Sequence, residues 1–345
     1  MTKGKILITG GTGYIGSHAV VELYEAGYEP IVIDNLSNSN IGVLDGLKKI
    51  IGHPVIYENI DCKDYNSLER FLEKHPEIIA VAHFAASKSV GESVSNPLLY
   101  YRNNIVSLLN LLQLMAKFDI KNIVFSSSCT VYGQPDVLPV TEASPIKPAT
   151  SPYGRTKQMC EDILRDTAVS NPDLNIILLR YFNPIGAHPS AEIGELPNGI
   201  PNNLLPYITQ TAAGIRTELS VFGDDYDTPD GSCIRDYINV VDLAKAHVIA
   251  IDRLIEEKNK EKIEVFNLGT GRGVSVLEIL NTFEEATGVK VPYKIAPRRA
   301  GDIEKVWADT SYANKELGWV AKETLAETLR TAWNWQKKLK EKNLL

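Results

Sequence analysis

Lys5-Ile6-Leu7-Ile8-Thr9-Gly10-Gly11-Thr12-Gly13-Tyr14-Ile15-Gly16 is the stretch on which the reading of this chain turns. Lys5–Thr9 is short and aliphatic, the pattern of a buried strand. Glycines at 10, 13 and 16 allow a tight turn, a close approach of ligand to backbone and close helix–strand packing. An amphipathic helix is expected from Tyr14 to about Ala26. The start of such a helix offers free N–H groups and a positive dipole end to a pyrophosphate. A glycine triplet alone signals only a tight turn. The strand before it and the helix after it supply the context of a dinucleotide site.

The alternation continues outward from there. Strands are expected at Pro30–Asp34, Val55–Ile60, Ile78–Ala85, Asn122–Ser127 and Asn175–Arg180, with helices such as Leu99–Lys117 and Tyr153–Val169 between them. Strand and helix in this rhythm give a parallel sheet covered on both faces. The fold class is α/β, a doubly wound Rossmann-type sheet with a smaller mixed C-terminal substrate domain. Past Tyr181 the texture changes to loops rich in Pro, Gly and Asn (Asn183–Pro206, Gly223–Gly231). Helices are expected there at Val240–Ile255, Ser275–Ala286 and Ala321–Lys340. The division read from this is 1–180 for a dinucleotide and 181–345 for a substrate, with an interleaved boundary.

Bulk properties narrow the function. The 345 residues exceed what one core usually serves. A net charge of -7 argues against broad nucleic-acid or anionic-membrane binding. Cys62, Cys129, Cys160 and Cys233 lack the close spacing of a zinc or redox site, so no metal is expected and a reducing cytoplasm fits best. No signal peptide and no membrane span are expected.

Asp34 ends the second strand, where a carboxylate would accept hydrogen bonds from the adenosine ribose and repel a 2′-phosphate. No Arg or Lys follows in Asn35-Leu36-Ser37-Asn38, so NAD is preferred over NADP. A strand-end Asp capping a turn is the common alternative, but it does not account for the placement of Asp34. Asp61 can approach the adenine edge or cap a helix from Tyr65. Tyr153 and Lys157 lie four apart and share one helical face. A tyrosine is a poor base at neutral pH, and a nearby ammonium and a cationic nicotinamide would favour its phenolate. Tyr153 is then a general base for a sugar hydroxyl. Taken alone, the pair also fits an amphipathic helix with a snorkelling lysine. Ser126-Ser127-Ser128 end a strand at the edge where α/β sheets place ligands, and a serine there can bridge the reacting hydroxyl and the phenol.

Together these residues resemble the extended short-chain dehydrogenase/reductase superfamily and, over nearly the full chain, its UDP-glucose 4-epimerase family. The matching segments are Gly10–His18, Val90–Ser93, Phe125–Gly133, Ser151–Lys157, Arg180–Ser190, Ile200–Tyr207, Arg235–Ala244 and Arg298–Asp302. The resemblance implies internal redox. Tyr153 takes the proton from the sugar 4-hydroxyl as hydride passes to NAD. The 4-keto sugar rotates, and hydride returns to its other face. Ser128 orients the hydroxyl, and Lys157 lowers the tyrosine pKa. Gly10, Gly13, Tyr14, Ile15, Gly16, Asp34, Asn35, Asp61, Cys62, Phe84, Ala85, Lys88, Asn103, Tyr153, Lys157 and Tyr181 would line the NAD site. Lys88, Ser128, Asn183, Asn203, Leu204, Phe222, Arg235, Tyr237, Arg299, Asp302 and Val306 would meet the UDP-sugar. A homodimer through paired helices is implied.

Cys129 stands where the family more often has alanine, and Ala86-Ser87 where it more often has Gly-Leu. Position 306 gates the N-acetyl group in the family, and Val306 is small, which implies that UDP-GalNAc and UDP-GlcNAc are also served. Related 4,6-dehydratases and decarboxylases add an acid beside the serine or threonine. Here the stretch is Ser128-Cys129-Thr130, and the acid is missing. A reductase would release NADH, and a cofactor-sensing protein would typically lose the tyrosine or the lysine.

Overall fold

The computed structural model describes residues 2–299 and 303–342. Its centre is a seven-stranded sheet. Six strands come from the first half: β1 (Lys5–Thr9), β2 (Glu29–Asp34), β3 (Ile56–Asn59), β4 (Ile78–His83), β5 (Asn122–Ser128) and β6 (Asn175–Tyr181). The seventh, Ile263–Leu268, comes from far along the chain and pairs in parallel with β6. The order is Ile263–Leu268, β6, β5, β4, β1, β2, β3. The chain reverses direction between β1 and β4, and such switch points open the ligand crevice of doubly wound sheets.

Strand pleat divides the core into two layers. Ile6 and Ile8 of β1 face one cluster with Val20 and Leu23 of α1 (Tyr14–Glu25) and with Leu243 and Ile251 of the Val240–Ile255 helix. Leu7 between them faces the other, with Leu108, Leu111 and Leu164 of the Pro97–Lys117 and Pro152–Ser170 helices. Burying each such side chain is worth roughly 1.5–3 kcal/mol. The glycine turn and the Tyr153 helix are thereby held on opposite faces, both opening at the same strand ends.

A smaller cluster gathers Ile185, Leu205, Val221, Tyr237, Phe283 and Leu329. Its strands are short: Asn183–Ile185 pairs with Tyr237–Asn239, and Leu219–Phe222 pairs with Tyr293–Ala296. Ile234–Arg235 lies between Val274–Ser275 and Lys305–Val306.

Several elements differ from the sequence reading. The last helix runs Leu325–Glu341, not from Ala321. The amides of Lys322 and Glu323 are taken by the Asp242 carboxylate at 2.8 Å each, and Thr324 caps the helix by accepting from the Glu327 amide. A helix at Leu204–Ala212 starts inside a segment read as loop. The helix from Tyr65 is capped by Asp64, whose side chain accepts from the Ser67 amide. Asp61 is not its cap.

Candidate active site

The glycine turn is closed to side chains where it must be. A Cβ at Gly16 would stand 2.2 Å from the Gly10 carbonyl oxygen. At Gly10, whose φ is +72°, it would stand 2.8 Å from the Ala85 amide nitrogen, so the turn lies against the loop after β4. Gly13 is the N-cap of α1, and no side chain among the described residues caps it. Serines or other polar side chains cap the helices at Val90, Pro152, Val240 and Val276. The first amides of α1, at Tyr14, Ile15 and Gly16, are therefore left for an anion. This cradle fits a dinucleotide pyrophosphate.

Asp34 is buried beside the turn. One carboxylate oxygen accepts from the Leu36 amide at 2.8 Å and the Ser39 hydroxyl at 3.1 Å; the other accepts from the Thr12 amide at 3.2 Å. It caps its own turn and also ties β2 to the glycine loop. Asn35 donates to Asp61 at 3.1 Å, joining the β2 and β3 ends. Cys62 is buried next to them, and burial pushes its thiol up to about 12. Phe84 and Ala85 follow β4, their amides donating to the Thr9 carbonyl and hydroxyl oxygens. Asn103 donates to the Ser87 hydroxyl at 2.9 Å.

The reacting centre forms where β5, β6 and the Pro152–Ser170 helix converge. Ser151 caps that helix by accepting from the Gly154 amide at 3.2 Å, and Pro152 occupies its first turn. Lys157 is buried and donates to the Ser126 carbonyl at 2.6 Å. Its ammonium stands 4.8 Å from the Phe125 ring centre and 6.0 Å from that of Tyr153. Burial lowers its pKa to about 8. Tyr153 lies beside Ser128, Cys129, Tyr181 and Tyr100. Burial raises its phenol above the ordinary value, Tyr181 adds to this, and a hydrogen bond from Ser128 pulls it back. The sequence reading expects Lys157 to lower this phenol. Burial dominates the shift of the phenol; the ammonium gives one N–H to the Ser126 carbonyl and keeps two to donate elsewhere. Tyr181 hydrogen-bonds the Ser126 hydroxyl. Thr130 donates to the Ser128 oxygen at 3.0 Å, which fixes how that hydroxyl can turn.

Of the candidates in the C-terminal half, Arg235, Val306 and Asn183 reach this edge, while Arg299 and Phe222 meet each other away from it. Arg235 pairs in register with Val306 and lies close to Cys129, whose thiol burial raises to about 12. Val306 and Cys129 belong to one apolar cluster with Phe182 and Val131. Asn183 lies opposite Tyr237 in the short parallel pair. Asn203 precedes Leu204 at the start of its helix. The Arg299 guanidinium stands 5.5 Å from the Phe222 ring centre. Asp302 lies outside the described residues.

Sequence reasoning missed Glu195. Its carboxylate accepts from Asn203 at 2.6 Å and pairs with Lys88 at 3.3 Å, while Trp335 donates to its carbonyl at 3.0 Å. One side chain thus joins a candidate NAD contact to a candidate UDP contact. It also missed Asn104, which accepts from the Ser87 amide and donates to the Thr156 hydroxyl, tying the β4 loop to the Tyr153 helix. Asn104 follows Arg102 and Asn103 in its helix, and nothing in the local sequence sets it apart from them.

A 3-2-1-4-5-6 strand order with an uncapped glycine turn at its switch point and Ser128, Tyr153 and Lys157 beyond it defines the extended short-chain dehydrogenase/reductase class. Residues 7–332 match the family model described as GDP-mannose 4,6 dehydratase. The chain is 51% identical over 332 residues to the UDP-glucose 4-epimerase of Dictyostelium discoideum, covering 96% of this chain and 95% of that one. It resembles the crystal structure of UDP-glucose-4-epimerase from Stenotrophomonas maltophila with bound NAD and formylated UDP-arabinopyranose, with TM-score 0.94 and 47% identity over 98% of this chain and 99% of that one. It also resembles the UDP-glucose 4-epimerase of Bifidobacterium longum in complex with NAD+ and UDP, with TM-score 0.93 and 49% identity over 97% and 98%. This chain belongs to the UDP-glucose 4-epimerase family.

Proposed function

We propose that this chain is an NAD-dependent UDP-glucose 4-epimerase, an isomerase that interconverts UDP-galactose and UDP-glucose through a transient 4-keto sugar. The observation that carries the reading is the Ser128–Tyr153–Lys157 cluster with Cys129-Thr130 beside it. A family that includes dehydratases shares the fold, but no acid stands here to remove water. Bound NAD supplies the hydride acceptor and a positive charge beside the phenol. The α1 amides, Asp34 and Lys157 would hold it. Asp34, with no Arg or Lys at 35–39, favours NAD over NADP.

Tyr153 takes the proton of the 4-hydroxyl and gives it back after the sugar turns. Ser128 hydrogen-bonds the phenol oxygen and, held by Thr130, aims at the same hydroxyl. Lys157 adds positive charge from beneath. Arg235 and Arg299 suit the UDP pyrophosphate. Asn183 and Asn203 suit sugar and phosphate oxygens, and Phe222 the uracil. The decisive experiment is incubation of purified protein with UDP-galactose and no added cofactor. Formation of UDP-glucose supports the reading; no product there, with turnover of neither UDP-glucose nor an N-acetylated pair, overturns it.

The same reading extends to N-acetylated sugars, because Val306 leaves the wall beside Cys129 and Arg235 low. Wild type is expected to turn over UDP-GalNAc, and Val306→Tyr to lose that activity while keeping UDP-galactose. No UDP-GalNAc turnover by wild type refutes the extension alone. A homodimer through the Pro97–Lys117 and Pro152–Ser170 helices is part of the reading, supported by exposed Leu98, Leu109 and Val169 on them. So is a cytoplasmic setting, supported by four free thiols; among the described residues no helix is long and apolar enough to cross a membrane. The working division is 1–180 for NAD and 181–345 for the UDP-sugar, with Val240–Ile255 and Ile263–Leu268 returned to the first part.

A further inference from the structure

We propose that Glu161 is a positioning residue for this reaction: its carboxylate indexes the helix carrying Tyr153 and Lys157 to the two strand ends carrying Ser128 and Tyr181. The inference rests on the epimerase reading above. Glu161 lies one turn beyond Lys157 and two beyond Tyr153, on the same helical face. One of its oxygens accepts from the Ser127 hydroxyl at 2.6 Å and from Arg180 Nε at 2.9 Å. The other accepts from Arg180 Nη2 at 2.5 Å and, from the more exposed side, from Arg165 Nη2 at 3.2 Å. Ser127 pairs with Arg180 across β5 and β6, and Ser128 pairs with Tyr181 in the next register position. The carboxylate therefore grips the immediate neighbours of both strand-end groups.

The grip is directional. Glu161, Arg180 and Ser127 are all buried, and the two nitrogens of the guanidinium meet the two oxygens side by side. Arg180 is held from behind as well: Nη1 donates to the Tyr132 hydroxyl at 3.0 Å, and that hydroxyl donates to Asn267 at 2.6 Å on the seventh strand. The network spans three strands and one helix. A buried ion pair is weak grounds for added stability, since well-packed apolar residues often serve as well. What it supplies here is register. A shift of about 1 Å between reacting groups can cost roughly a hundredfold in rate.

The test compares wild type with Glu161→Gln and with the double variant Glu161→Leu/Arg180→Met, which removes both charges. kcat and KM for UDP-galactose, NAD content and Tm are measured on the NAD-loaded enzymes. Glu161→Gln is expected to keep its NAD and its KM within about threefold while kcat falls about 10- to 100-fold. The double variant is expected to match or exceed the Tm of Glu161→Gln while kcat stays low. Recovery of both Tm and kcat in the double variant would show that the pair serves stability only and would overturn the proposal. So would a Glu161→Gln enzyme with lowered Tm and a kcat within about threefold of wild type. If Glu161→Gln does not fold, the double variant decides. Failure of wild type itself to turn over UDP-galactose, UDP-glucose and an N-acetylated pair would sink the epimerase reading and this proposal together; normal wild-type turnover with unchanged variants would sink the proposal alone.

Discussion

Acid should unfold this protein through three buried histidines, and the size of the effect follows from where they sit. His18, His83 and His247 are each 0–2% exposed. His18 places Nδ1 2.7 Å from the Tyr14 carbonyl, and His247 places Nδ1 2.9 Å from the Leu243 carbonyl; the Nε2 atom of each is buried without a partner among the described residues. His83 shares its Nδ1 with the Thr9 hydroxyl at 2.7 Å, the same hydroxyl that accepts from the Ala85 amide in the cofactor turn. Burial lowers His18 and His83 to about 3 and His247 to about 4; the Lys157 charge adds to the effect at His83. An imidazolium at any of these places would carry a charge and an N–H into apolar surroundings.

The folded pKa values lie below the unfolded value, so the unfolded chain binds these protons first as pH falls. Stability is complete above about 6.5 and is lost progressively toward 3–4. At pH 5 each histidine costs about 2 kcal/mol, and the three together about 6 kcal/mol. That rivals the whole stability of many domains, roughly 5–15 kcal/mol. An unfolding entropy near 0.7 kcal/mol per kelvin for a chain this long converts 6 kcal/mol into a fall in Tm of about 8 °C. The assay is a series of thermal melts from pH 7.5 to 5.0 on wild type and on His247→Gln, which should lose about a third of the pH dependence. Histidine ring protons that titrate near 6.5 in the native state, or identical slopes in the two proteins, would refute the reasoning.

Two other substitutions probe the site directly. Gly16→Ala puts a methyl group 2.2 Å from the Gly10 carbonyl and 2.9 Å from the Gly11 Cα, so backbone must move; a loss of about 1–3 kcal/mol is expected, with purified protein arriving depleted in NAD, and a fully loaded enzyme of unchanged Tm would contradict the packing. Tyr153→Phe removes only the phenol oxygen beside Ser128; kcat should drop by about 10²- to 10⁴-fold with KM for UDP-galactose and NAD content little changed, and a kcat within tenfold of wild type would exclude Tyr153 as the base.

The candidate catalytic and cofactor-turn residues were legible because their spacing is local. Tyr153 and Lys157 share a face by helical period alone, and Gly10, Gly13 and Gly16 announce a turn whose neighbours are strand and helix. Five of the six strands of the first half were legible for the same reason, each holding an aliphatic run bounded by turn residues; β3, Ile-Tyr-Glu-Asn, is the polar exception. The two- to four-residue strands of the second half were not, since Ile234–Arg235 becomes a strand only through Val274–Ser275 and Lys305–Val306, tens of residues away. The start of the last helix was misplaced because Asp242, some 80 positions upstream, takes its amides. The Lys157–Tyr153 relation was only half legible: the period places both on one face, but the Ser126 carbonyl decides where the ammonium points.

Glu195 and Glu161 extend that last case. Neither stands in a motif, and each acts through partners distant in the chain: Lys88 and Asn203 for one, Ser127 and Arg180 for the other. Backbone periodicity sets which residue reaches the crevice, to within a turn. Hydrogen bonds from buried side chains then set orientation to within an ångström, the scale on which proton and hydride transfer depend. The second kind of information is spread over residues that look ordinary in a linear reading. A homologous chain could therefore keep Ser128, Tyr153 and Lys157 and still be a poor catalyst if its equivalent of Glu161 or Asn104 no longer met its partners.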